Sequence, residues 1–133
     1  MVEHPAGIVE LESAHDFSTT LKRLGDAFEK ANLKIFARID HSGAAEQVGL
    51  TMPRTIVLIY GSPQSGTPVM LETPAAALDL PLRVLVREDT SGKTIVAFHP
   101  AAAITNAVVL TSEQLARFSK AETVIASAIK PDQ

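Results

Sequence analysis

Gly61–Val86 reads GSPQSGTPVMLETPAAALDLPLRVLV, and it joins the two most strand-like runs of the chain. Directly before it stands Ile56–Tyr60, apolar without interruption, and at its end lies Leu82–Val86. A continuous apolar run of that length suits a central strand covered on both faces. Between the two runs, Gly61, Pro63, Gly66, Pro68, Pro74 and Pro81 are residues chosen for backbone shape. They predict a Gly/Pro loop whose tight turns let Val69 and Met70 enter the core.

The same loop invites comparison with the phosphate loop GxxxxGK[ST], because Gly61 and Gly66 have its spacing and follow a strand. Thr67 stands where the lysine should be, and Pro68 follows where a long helix is needed. Without that cation the loop is not a nucleoside triphosphate site. A concavity of backbone N–H groups, backed by the Ser62, Ser65 and Thr67 hydroxyls, is the functional alternative to a plain turn, and it would suit a small anion or carboxylate.

Working outward, Ile8–Ser13 alternates as a first strand, and Asp16 caps a helix running to about Ala31. Phe17, Leu21, Leu24, Phe28 and Ala31 form its apolar stripe, and Asn32 suits the left-handed residue that ends it. Leu33–Asp40 alternates as a half-buried strand, and Ser42 opens a short turn over Gly43–Val48. Leu82–Glu88 and Lys93–Phe98 flank a hairpin turn at Asp89–Gly92. Pro100 starts a helical turn over Ala101–Ala107, and Thr111 with Gln114 has capping-box spacing at the head of a last helix. The order β-α-β4-α predicts an α+β, two-layer domain: a mostly antiparallel five-stranded sheet with two long helices on one face. Residues 1–133 read as a single domain, with no repeat or linker.

Two helices cover one face of five strands and no more. Phe36, Val57 or Ile59, Leu85, and Val96 or Phe98 then put apolar side chains on the far face, interleaved with Lys34, Arg38, Arg83 and Arg87. An apolar face of that kind marks an interface. A homodimer packed through it is the first expectation; an amphiphilic anion held by the arginines is the second, although Asp40, Glu72 and Glu88 offer the same arginines internal partners.

Composition excludes several classes. The chain has 133 residues, 46% hydrophobic and 20% charged, enough for one core without a staple. It has no cysteine, which removes thiol catalysis, disulfides and thiolate metal sites. A net charge of −3 argues against a nucleic-acid partner. No apolar segment reaches the length that spans a bilayer, and MVEHPAGIVELES lacks the pattern of a secretion signal, so no membrane role and a cytoplasmic location are expected.

Candidate chemistry is sparse. His4 and His15 read as surface residues, whereas His41 and His99 end strands, where site residues gather. Should those strand ends meet, His41 and His99 with Asp40 would suit a metal or haem, although no HxH or HExxH spacing calls for one, and no cofactor is the expectation. Ser65 lacks the GxSxG elbow and its strand–turn–helix setting. Asp79, in Ala-Leu-Asp-Leu-Pro, is enclosed by apolar neighbours and reads as an acid that holds the Gly61–Pro81 excursion shut, or as a general acid or base if a cleft adjoins it.

GSPQSGTPVM followed by TPAAALDLPLRVLV resembles the signature of the family catalogued as domain of unknown function 302, roughly G-N-P-x-x-G-T-x-L-M and then P-x-x-A-L-D-L-P-L-x-V-L-V. The similarity reaches back through FARIDHSGAAEQVGL and forward to Phe98-His99-Pro100, covering most of residues 8–100, with 101–130 a more weakly matching helical part. Ser62 replaces the usual asparagine and His99 the usual acid. The resemblance implies a TATA-binding-protein-like β-α-β4-α fold and homodimers, and it brings no catalytic residue with it.

The expectation for function is therefore a non-enzymatic homodimeric module binding a small anionic or amphiphilic ligand at Gly61, Ser62, Ser65, Gly66 and Thr67 and at the uncovered sheet face. Asp79, His41 and Arg38 are further candidates for that site. The alternatives are a small-molecule enzyme using Asp79, His41 or His99 as acid or base, and a haem or metal protein through His41 or His99.

Overall fold

The computed structural model describes residues 2–3, 7–101, 103 and 109–132. Its elements run β1 (Val2–Glu3), β2 (Val9–Glu12), α1 (Phe17–Lys30), β3 (Lys34–Asp40), α2 (His41–Gln47), β4 (Thr55–Gly61), α3 (Pro63–Glu72), a 3-10 turn (Pro74–Leu78), β5 (Leu82–Glu88), β6 (Thr94–Phe98) and α4 (Ser112–Ala128). The fold is α+β. Five long strands and the two-residue β1 form one antiparallel sheet in the order β1-β2-β6-β5-β4-β3.

Register decides which face each side chain takes. Leu58 pairs with Val84, and the ladder Ile56–Val86–Val96–Leu11 continues on the same face. These residues pack against Phe17, Leu21, Leu24 and Phe28 of α1 and Ile125 and Ile129 at the end of α4. Leu24, Phe28, Val84, Val86, Val96 and Ile125 are fully buried, each contributing roughly 1.5–3 kcal/mol relative to exposure. The Phe28 ring stacks on Tyr60 with centroids 4.3 Å apart. Helix α1 starts as the sequence dictates, with Asp16 Oδ1 accepting from the Thr19 N–H at 2.8 Å, and Asn32 leaves it at φ 58°.

Three expectations need correction. The Gly61–Pro81 excursion is not a loop of turns. Ser62 caps α3, Pro63 takes its first position and Pro68 lies inside it, so the strand–turn–helix setting denied to Ser65 is present. A proline interrupts a helix by removing one N–H and crowding one carbonyl, but here the helix resumes through Thr73, whose N–H reaches the Val69 carbonyl at 2.9 Å. Burial of Val69 on Ala76, Ala101 and Phe118 opposes the local penalty. Secondly, Val96 and Phe98 face the helices rather than the far side. Thirdly, a bulge between Ile35 and Ala37 shifts the parity of β3, placing Arg38 opposite Leu58 on the helix side. The helical turn expected over Ala101–Ala107 falls mostly outside the described residues, as does His4.

The far face carries Ile39, Val57, Ile59, Arg83, Leu85, Arg87, Ile95 and Ala97. Val57, Ile59, Leu85 and Ile95 are half-buried and Ala97 is buried. Arg87 reaches across this side to Glu10 at 3.2 Å.

Candidate functional site

At Gly61 the end of β4 runs tight against Pro81: a Cβ there would meet the Pro81 Cβ at 3.2 Å. The chain then turns through Ser62, extended at φ −118° and ψ 116°, into α3. Helix N-termini attract anions through their unpaired N–H groups. Here one of those groups, on Ser65, is already committed. Pro63 has none, the Ser65 N–H goes to Ser62 Oγ at 3.3 Å, and the Gly66 N–H goes to the Ser62 carbonyl at 2.8 Å. Ser62 therefore competes through its own oxygens for the Ser65 N–H, which weakens the turn as a backbone anion cradle.

What the turn does build is a cavity of about 260 Å³. Helix α3 lends it Ser65, Gly66, Thr67 and Met70, after Gly61, Ser62 and Pro63. The return to β5 adds Leu80, Pro81 and Leu82, and the start of β3 adds Leu33 and Phe36. Arg117, Phe118 and Ala121 of α4 complete it. The walls are predominantly apolar, and among the described residues Arg117 is the one charged lining residue. Its guanidinium lies 2.6 Å from Glu113 one turn earlier, an exposed pair of small energetic value that a ligand can exchange. Phe118 is anchored in a second core cluster with Val69, Ala76 and Ala101, which makes that side of the cavity rigid.

Of the residues anticipated from sequence, Gly61, Ser62, Ser65, Gly66 and Thr67 all line this cavity. Asp79 does not. It is exposed at the end of the 3-10 turn, so it neither sits in an apolar enclosure nor holds the excursion shut. Arg38 and His41 belong to the opposite end of the sheet, because β3 runs antiparallel to β4 and Asp40 pairs with Ile56 while Lys34 pairs with Gly61. At ~3.4 Å per residue the two ends are roughly 20 Å apart. His99 is exposed after β6, so no acid–base set of Asp79, His41 and His99 is assembled. Among the described residues no cluster of three His, Asp or Glu could hold a metal. His15 bridges elements instead, its Nε2 lying 2.8 Å from the Lys130 carbonyl oxygen.

Sequence reasoning missed Leu33, Phe36, Met70, Leu80 and the whole α4 contribution. Phe118 shares an apolar stripe with Leu115, Ile125 and Ile129, but nothing local tells that the stripe's start meets α3 rather than the sheet. Beside the cavity, Glu122 accepts from the Ala101 N–H and the Ser119 hydroxyl, yet burial holds its carboxyl above the usual range. Burial, with the Glu122 charge added, also pushes the Tyr60 phenol up.

The family model described as "Domain of unknown function DUF302" matches residues 9–130. A crystal structure titled as an uncharacterized conserved protein DUF302 from Bacillus stearothermophilus superposes with a TM-score of 0.76, covering 92% of this chain and 95% of that one at 14% identity. Such a likeness establishes the fold alone. Among curated proteins, the chain is 39% identical over 88 residues to the protein named "Fluoride-specific ion channel FluC 1" of Brucella suis biovar 1 (strain 1330), covering 66% of this chain and 35% of that protein. The protein of the same name from Brucella abortus biovar 1 (strain 9-941) matches at 39% over 66% of this chain and 33% of its own length. The chain thus spans about a third of these relatives. Among the described residues no helix is long and apolar enough to cross a membrane.

Proposed function

The chain belongs to the family of DUF302 domains, and from its geometry we propose a non-enzymatic, homodimeric binding module for a small amphiphilic anion. The observation that carries this reading is the cavity at Gly61–Thr67, with apolar walls and, among the described residues, a single cation. Ligand pockets are concave and mostly apolar, with a few polar groups that fix orientation. An apolar body lies against Leu33, Met70, Leu80 and Phe118, and its carboxylate takes Arg117 from Glu113. A compact, highly charged anion such as phosphate is the poorer fit, because the walls are mostly apolar and Ser62 already takes the Ser65 N–H at the N-terminus of α3. The channel activity named in the Brucella relatives is not assigned to this chain; the module reading places the matched third as an appended binding domain. Acid–base catalysis is the poorer reading, since Asp79, His41 and His99 lie outside the cavity.

Calorimetric titration with octanoate and with octanol tests the proposal. Saturable binding, tighter for octanoate and equalised by Arg117→Ala, is expected. Absence of saturable binding by either probe would overturn it.

A further inference from the structure

Nine large apolar side chains are substantially exposed among the described residues, and six of them are Ile35, Phe36 and Ile39 of β3 with Val48, Leu50 and Met52 just after α2. The first three stand on the strand that forms the free edge of the sheet opposite β1, and the other three follow α2, which packs on the neighbouring strand β4. The far face of the sheet, by comparison, is half-buried and crossed by the Arg87–Glu10 pair. Every residue of β3 is exposed. A long edge strand offers an unpaired row of backbone N–H and C=O groups, and bulges or lysines blunt it. Lys34 and the bulge do so in the first half of β3, which leaves Ala37–Asp40 regular.

An interface between two identical copies must be self-complementary about a two-fold axis. Beyond the bulge, Arg38 and Asp40 share one face and Ile39 points to the other, since they pair with Leu58, Ile56 and Val57 respectively. An antiparallel ladder centred on Ile39 would therefore set Arg38 opposite Asp40 of the second copy, twice, on one face. Ile39 would meet its own counterpart on the other. The alternative ladder centred on Ala37 would oppose Lys34 to Asp40, but the bulge puts those two on different faces, because Lys34 pairs with Gly61 and Asp40 with Ile56. Asp40 accepts from Ser42 Oγ at 2.7 Å and from the Gly43 N–H at 2.9 Å on Oδ1.

We infer that the chain dimerises edge to edge, β3 against β3 of a second copy, with Ile39 at the two-fold axis, Arg38 paired to Asp40 across it and the Val48–Met52 segment adding apolar surface. This rests on the homodimeric reading above and specifies its interface. The test is sedimentation equilibrium on the wild type and on Ile39→Lys and Ile39→Glu, both at an exposed position and both checked for unchanged circular dichroism. The wild type is expected to dimerise. Each variant alone places like charges in contact at the axis and should weaken dimerisation on the order of a hundredfold. An equimolar mixture of the two should recover a heterodimer. Variants that dimerise like the wild type would overturn the edge interface and leave the homodimer standing. Variants that stay apart when mixed would overturn the Ile39-centred register. A wild type monomeric at high concentration, including one that pellets with lipid vesicles instead, would overturn the interface and the homodimer together.

Discussion

Two adjacent strands of this protein end in the same way, with a polar residue that caps a helix, and only the second junction lines the cavity of about 260 Å³. Asp40 closes β3 and caps α2 through the Gly43 N–H at 2.9 Å, with the Ser42 hydroxyl also on its Oδ1; Ser62 follows β4 and caps α3 through the longer Ser65 N–H bond at 3.3 Å. The Asp40 end holds more chemistry, with Arg38 and His41 beside it. Yet α2 buries none of its residues, whereas α3 buries Gly66 and Val69. The difference is what returns to the junction. After α3 the 3-10 turn doubles back, and the start of α4 packs on both, so a concavity is enclosed. A cap and a few polar side chains do not make a site. A third element laid over them does.

If that contrast is sound, truncation should be felt very differently at the two junctions. Phe118→Ala removes the anchor of the cavity wall and should cost about 3–5 kcal/mol in a urea melt. Gln47→Ala, on the exposed α2, should stay within about 0.5 kcal/mol. Comparable losses at both would erase the distinction.

Gly66→Ala sharpens it with an effect of opposite sign. A Cβ there meets only Met70 Cε at 3.8 Å and Leu80 Cδ1 at 3.9 Å, ordinary contacts, within a helix. The variant should gain about 0.5–1 kcal/mol of stability from the lost chain freedom. It should also bind octanoate less well, because the new methyl enters the cavity. Stabilisation with undiminished binding would place the ligand elsewhere.

Glu122, on α4 beside the cavity, gives a pH dependence. Its carboxyl, ordinarily titrating near 4.5, is raised by burial, so the folded protein keeps that proton to higher pH than the unfolded chain does. Native stability then falls as pH rises from the ordinary value through the raised one. Glu122→Gln should melt higher than the wild type at neutral pH, with the gap closing below about pH 4. A gap independent of pH would contradict this. The smallest effect is expected at Asp79, whose exposed carboxylate fixes nothing. Asp79→Asn should leave the melting temperature unchanged. Asp132→Asn, which loses a paired contact with Arg23 at 2.6 and 2.8 Å, should cost at least as much.

The succession of long strands and helices along the chain, and α1 above all, were legible because burial imposes a period that local residues must obey: Phe17, Leu21, Leu24 and Phe28 have no other reason for their spacing. Half of the cavity was legible as well, in the Gly61–Thr67 run, since close passage against Pro81 favours a glycine. Helix α3 was hidden because Pro63 and Pro68 are breakers by composition, and their tolerance depends on where the helix starts and on what Val69 packs against. The side taken by Arg38 was hidden by a single bulge, which no alternating pattern records. Asp79 misled for a related reason. Apolar neighbours in sequence say nothing of enclosure when Leu78 is itself 87% exposed.

The most direct test of the binding site is a titration of isotope-labelled protein with octanoate followed by amide chemical shifts. The account predicts saturating shifts at Gly66, Met70, Leu80 and Phe118, and none at Ser42, Ala44 or Glu46 of the other junction. Shifts confined to that other junction, or no saturating shifts at all, would contradict it.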